Sequence, residues 1–169
     1  ATVTLSDNRF AGDVLTLGYG AASFTNGKNV GDSKPISVTG ITVTGSDAGN
    51  YTFNTTAGAT ANVTPFGLIV SATGESRVYN AGTTATVTLS DNRFAGDVLT
   101  LGYGAASFTD GKNIGDGKPI SVTGIHVTGD DAGNYTFNTT ASTTANVTPF
   151  GLTVSAAGVN RVYNAGTTA

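Results

Sequence analysis

An all-β fold, made of tandem antiparallel β-sandwich (Ig-like) modules of about 84 residues with essentially no helix, is predicted by three observations. The chain repeats itself: residues 1–85 laid over 85–169 match at 74 of 85 positions. A period that long exceeds a solenoid unit and is close to the size of a small independent domain. The composition is turn-rich and β-rich, with 24 glycines and 30 threonines but only 11% charged residues, where about 25% is usual. No stretch carries apolar residues at the 3.6-residue period of a helix, whereas several alternate with period two.

The repeat is read from its second copy. Gly67-Leu68-Ile69-Val70-Ser71-Ala72 is predicted as a first strand and Arg77-Val78-Tyr79 as a short second one, closed by the turn Asn80-Ala81-Gly82. Thr86–Ser90 follows with Val87 and Leu89 inward, then Val98–Tyr103 with Leu99, Leu101 and Tyr103 inward. Ala105–Phe108 is a short strand, and Asp110–Lys118 a polar, glycine-rich loop. Pro119 opens the longest strand. Its inward parity switches between Val122 and Ile125, so a bulge is expected at Gly124, and likewise at Gly40. The turn Gly129–Asn134 leads to Tyr135-Thr136-Phe137, with both aromatics inward, and Ala145–Thr148 closes the module. The expected core is Val87, Leu89, Leu99, Leu101, Phe108, Ile120, Val122, Ile125, Val127, Tyr135, Phe137 and Val147.

Boundaries are expected at Thr64-Pro65-Phe66-Gly67 and Thr148-Pro149-Phe150-Gly151, where proline favours extended geometry and leaves no flexible spacer, so the array should be stiff, with Pro149 and Phe150 as its joint. Residues 67–150 then form a complete repeat, 1–66 one lacking its first strands, and 151–169 the first strands of the next. A sandwich short of an edge exposes a groove and unpaired backbone, which Leu152 to Tyr163 would fill. Either neighbouring copies complement one another head to tail, which would generate fibres, or the residues are a window on a longer array.

Charge and motifs exclude several functions. A net charge of −3 and eight scattered Lys and Arg give no basic face for nucleic acid. The most apolar stretch, Phe66 to Val70, is interrupted by Gly67 and is far too short to span a membrane. The lone histidine, His126, is Thr42 in the other copy, and cysteine is absent, so no triad or Cys/His pair recurs; no enzymatic activity and no catalytic, cofactor-binding or metal-binding residue is expected. Asp130-Asp131 with Asn134, and Asp110 with Asp116, offer oxygen ligands for calcium, but Ser46 and Asn26 replace two of these in the first copy, and capping of local turns is the preferred reading. No cofactor is expected.

Sequons at Asn50, Asn54 and Asn62 recur at Asn134, Asn138 and Asn146, making glycans candidate partners. An isopeptide cross-link would need a buried lysine beside a carboxylate, whereas Lys112 and Lys118 are expected to be solvated in their loop. Thr-Val-Thr pairs at 2–4, 42–44 and 86–88 raise an ice-binding reading, but they are too sparse to tile a flat face. A carbohydrate-binding array is the other alternative and would display aromatics on one face.

Taken together in order and spacing, Val78-Tyr79-Asn80-Ala81-Gly82-Thr83-Thr84, Ala106-Ser107-Phe108 with Lys112-Asn113-Ile114-Gly115, Val122-Thr123-Gly124-Ile125, Asp131-Ala132-Gly133-Asn134-Tyr135 and Ala145-Asn146-Val147-Thr148-Pro149 resemble the YDG repeats, related to MBG repeats. Where those repeats typically carry Tyr-Asp-Gly, this chain has Tyr79-Asn80-Ala81-Gly82 and Tyr163-Asn164-Ala165-Gly166. The resemblance implies a structural region of a large secreted bacterial surface protein of filamentous-haemagglutinin type: an extracellular adhesin stalk or biofilm fibre, whose partners are other copies of the repeat and whose receptor site lies elsewhere.

Overall fold

The computed structural model describes residues 1–168, whose regular structure is nearly all short strands joined by irregular segments; among the described residues the helical pieces are two 3-10 turns, Ala48–Asn50 and Ala132–Asn134. The all-β expectation holds. The first repeat contributes β1 (Thr16–Gly18), β2 (Ala21–Phe24), β3 (Gly31–Thr39), β4 (Thr42–Thr44) and β5 (Thr56–Val63). Beyond Pro65 the chain forms β6 (Phe66–Leu68), β7 (Ser71–Gly74), β8 (Arg77–Val78), β9 (Val87–Ser90), β10 (Thr100–Gly102), β11 (Ala105–Phe108), β12 (Gly115–Thr123), β13 (His126–Thr128), β14 (Tyr135–Phe137) and β15 (Thr140–Thr148).

Two compact units emerge. One gathers Ala1–Val70, Ser90–Gly102 and Ile125–Thr139; the other gathers Ser71–Leu89, Tyr103–Gly124 and the residues from Thr140 on. The first holds the antiparallel sheet β2-β3-β5 and the pairs β1-β4 and β10-β13, together with β14 and β6, which run parallel. The second holds β11-β12-β15-β8, antiparallel except where β8 joins β15 in parallel, and the pair β7-β9. The pairs β1-β4, β10-β13, β11-β12, β12-β15, β2-β3 and β3-β5 are antiparallel, and the two parallel contacts are short.

The core follows parity. Ile36 and Val38 are buried on β3, as are Ile120 and Val122 on β12, where Val122 is wholly inaccessible. Of the expected core, Val87, Leu99, Phe108, Ile125, Val127, Tyr135 and Val147 are also buried, while Leu89, Leu101 and Phe137 are half-buried. Leu68, Val70 and three alanines, Ala85, Ala106 and Ala145, are buried in addition.

Four expectations need correction. The stretch expected as one strand from Gly67 to Ala72 is two, β6 and β7, because the backbone between them is held by side chains: Asn138 Oδ1 accepts from the Val70 N–H at 2.8 Å and Asn92 Oδ1 from the Ile69 N–H at 2.7 Å. The loop expected to last until Lys118 ends at Gly115, where β12 begins. Gly124 is not a bulge inside one strand: with φ near 67° it ends β12, and the chain resumes as β13 in a different sheet. Glycine is required there by the close approach of Gly104, since an added Cβ would lie 3.2 Å from the Gly104 nitrogen. The register shift sits instead between Gly115 and Lys118, and at Gly31 to Lys34 in the first repeat. Finally, Lys118 is not solvated but 5% exposed, as is Lys34 at 4%; Lys118 shares the inward parity of Ile120 and Val122.

Identical sequences take different structures in the two repeats. Val87–Ser90 is strand β9 because β7 pairs with it, whereas Val3–Ser6 forms no strand. Tyr135–Phe137 is strand β14 because β6 lies beside it, whereas Tyr51–Phe53 forms none. Strand β15 has β12 on one side and β8 on the other, whereas β5 pairs with β3 alone and is the edge of its sheet. The residues from Gly151 to Thr168 form no strand and are exposed.

Candidate functional site, the joint between repeats

Polar and aromatic side chains converge where the first repeat passes into the second, wholly within the first unit. The chain leaves β5, turns through Thr64-Pro65 and immediately re-enters strand as β6, so the joint has no loose linker. Phe66 packs its ring on Phe94, with centroids 4.7 Å apart, and edge-on to Tyr135 at 6.1 Å. A pocket of about 360 Å³ opens over these rings, rimmed by Lys28, Asp97 and Asn134.

The polar rim is a closed network. Tyr135 donates its hydroxyl proton to Asp97 Oδ2 at 2.6 Å and accepts from the Phe94 N–H at 3.2 Å. The Lys28 ammonium, carried by the first repeat, pairs with Asp97 and lies 3.1 Å from Asp131 Oδ1. Asp131 Oδ2 meanwhile accepts from the Val98 N–H at 2.9 Å. Asn134 Oδ1 accepts from the Val30 N–H at 2.9 Å, and its amide donates to Asn29 Oδ1 at 3.2 Å. The Lys28 ammonium, with the Tyr135 hydroxyl second, holds the Asp97 carboxyl below its ordinary range. Asp97 and then Asp131 raise Lys28, and Asp97 raises Tyr135. One ammonium from the first repeat thus serves two carboxylates of the second.

Of the residues weighed for calcium, two belong to the joint. Asp131 and Asn134 bond as above, Asp110 Oδ1 lies 2.7 Å from Lys118 Nζ, and Asp116 and Asp130 are exposed. Among the described residues no group of three or more His, Cys, Asp or Glu could hold a metal ion. His126 is exposed on β13 opposite Gly102.

Sequence reasoning missed what the sequon asparagines do. Asn62 and Asn146 each accept a backbone N–H at the register shift, from Ser33 at 2.8 Å and Gly117 at 2.7 Å. Asn138 grips both backbone groups of Val70, accepting its N–H and donating to its carbonyl at 2.9 Å. A side-chain amide has the same donor and acceptor as a peptide, so it substitutes for a strand partner where the sheet is interrupted. Their recurrence at an 84-residue spacing beside glycine turns is the signal that could have revealed this.

The buried lysines close the loop before their strand. Lys34 Nζ donates to the Gly27 carbonyl at 2.9 Å and to that of Asn29, and sits 5.6 Å from the Phe24 ring. Lys118 sits 5.9 Å from the Phe108 ring, whose other neighbour is the Arg77 guanidinium at 5.2 Å. Arg77 in turn clamps the turn at Asn80 to Gly82, donating to Asn80 Oδ1 and, at 2.6 Å, to the Gly82 carbonyl. This is the place of the Tyr-Asp-Gly signature, and Ala81 takes a positive φ of 65° there.

Comparison with known proteins identifies the family. No curated protein and no solved structure matches the chain. The family model of the YDG domain matches residues 1–61 and again 64–145, so the chain belongs to the YDG domain family.

Proposed function

We propose that this chain is a structural repeat segment of an extracellular bacterial surface protein, of adhesin or biofilm-fibre type, and that it works as a stiff stalk. The observation that carries the reading is the joint: one repeat grips the next through an ion pair, an asparagine bond and a strand that starts one residue after Pro65. A joint of this kind transmits load without a flexible spacer. Near-identity between copies supports the same reading, since duplication adds reach and multiplicity rather than new chemistry. Membership of the YDG family fits it, as does the engagement of Asp97, Asp131, Asn134 and Lys118 in internal contacts.

Two measurements test it. Antibody raised against the chain should label intact producing cells without permeabilisation; signal seen only after permeabilisation would overturn the extracellular placement. Pulled from its ends in a force spectrometer, the chain should resist and then yield in discrete steps; smooth extension at low force would overturn the stalk.

A further inference from the structure

We propose that Asn26 is a site of spontaneous deamidation, and that the carboxylate formed there becomes the charge partner of buried Lys34. The two repeats differ at this position: Asn26-Gly27 in the first is Asp110-Gly111 in the second. Asp110 Oδ1 lies 2.7 Å from the ammonium of Lys118, which is 5% exposed. Lys34 is as deeply buried, at 4%, yet its ammonium is held by the Gly27 and Asn29 carbonyls, and among the described residues no carboxylate pairs with it. A buried ammonium without a counter-charge bears an uncompensated desolvation cost. Its Nζ is 2.9 Å from the carbonyl oxygen of Gly27, the residue next to Asn26, so a carboxylate at position 26 lies within its reach.

The reaction needs only water. The Gly27 backbone nitrogen loses its proton and attacks Asn26 Cγ, the Cγ–N bond breaks, ammonia leaves, and a cyclic succinimide remains; water then opens that ring at either carbonyl, giving aspartate or isoaspartate. A side chain on the following residue crowds the attacking nitrogen, and Asn26-Gly27 is the one Asn-Gly in the sequence. The surroundings leave the ring free to close. Asn26 and Gly27 are exposed in the turn after β2, Gly27 has φ near 86° with nothing within 4 Å of an added Cβ, and among the described residues no hydrogen bond ties the Asn26 side chain. Exposure belongs to the turn itself, since the Asp110 side chain is 41% exposed in the repeat that carries β7 and β8. By contrast, Asn62, Asn138 and Asn146 hold backbone groups and are followed by Val63, Thr139 and Val147. The same turn carries Lys28 and Asn29 to the joint, so pinning residue 26 to Lys34 steadies the grip on the second repeat.

Both the chemistry and its consequence can be tested. The full chain, held in warm and mildly alkaline buffer and then mapped by peptide mass spectrometry, should convert at residue 26 before any other asparagine and release ammonia. Asn26→Gln should abolish that conversion, because the longer side chain closes its ring far more slowly. Conversion first at another asparagine, or residue 26 unchanged while the free peptide of residues 23–34 converts, overturns the proposal; so does a peptide cross-linked between residue 26 and Lys34. Asn26→Asp reproduces the aspartate product directly and should raise the melting temperature at low salt by about 2–4 °C, a modest gain because the new carboxylate is partly exposed. Asp110→Asn should lower it comparably. The gain from N26D should vanish in high salt and on a Lys34→Met background, where the bulk of the side chain stays and its charge goes. A melting temperature indifferent to N26D, or a gain that survives Lys34→Met, overturns the proposal as well.

Discussion

Single positions carry strain that the repeats themselves expose. Ser33 and Gly117 occupy the same turn with φ near 48° and 58°, a region in which a side chain costs about 1–2 kcal/mol and glycine does not. Ser33→Gly is expected to stabilise the chain by about 0.5–1 kcal/mol in thermal melts, after allowance for glycine's greater freedom when unfolded, and Gly117→Ser to destabilise it by a similar amount. Ala81, at φ 65°, should respond to glycine as Ser33 does. At this scale the burial of Lys118 was legible in parity, since it alternates with Ile120 and Val122, but charge masked it. What the sequence hides is the Asp110 carboxylate and Phe108 ring beside Lys118, and the Gly27 and Asn29 carbonyls beside Lys34, which make a buried ammonium tolerable.

Whether a short segment becomes a strand depends on a neighbour. Val3–Ser6 and Val87–Ser90 are the same four residues, and only the second has β7 beside it. Hydrogen exchange should therefore protect amides of Val87–Ser90 and Tyr135–Phe137 well above those of Val3–Ser6 and Tyr51–Phe53 in the monomeric chain; equal protection would contradict the pairing. The joint should also carry its own pH dependence. Because Asp97 is lowered, its stabilisation is full above the ordinary carboxylate value of about 3.9 and fades as pH falls through the lowered value. Lys28 and Tyr135 are raised, so theirs is full below their ordinary values and fades as pH rises through the raised ones. Asp97→Asn should lower the melting temperature at neutral pH and low salt, and the difference from the unaltered chain should shrink in acid and in high salt. Strand existence and parity were readable from alternation and turn residues in Ala105–Phe108 and Tyr135–Phe137. The split of Gly67–Ala72 was not, because it is made by Asn92 and Asn138, more than twenty residues away.

In the whole molecule, one substitution should have two costs. Phe108→Ala removes a buried ring that has Arg77 of β8 over it and should destabilise by about 3–5 kcal/mol, whereas Phe24→Ala, at a half-buried ring, should cost clearly less; chemical denaturation of both variants measures the difference. By itself the sequence determined the all-β class, the 84-residue period and the inward residues of the long strands, because alternation and turn chemistry are local properties. Only the tertiary structure decided which copies of identical segments become strands, why lysines can be buried, and how Lys28, Asp97, Asp131 and Asn134 close into a joint. The reason is physical: a strand needs a partner for its backbone and a charge needs a partner for its field, and those partners lie far along the chain.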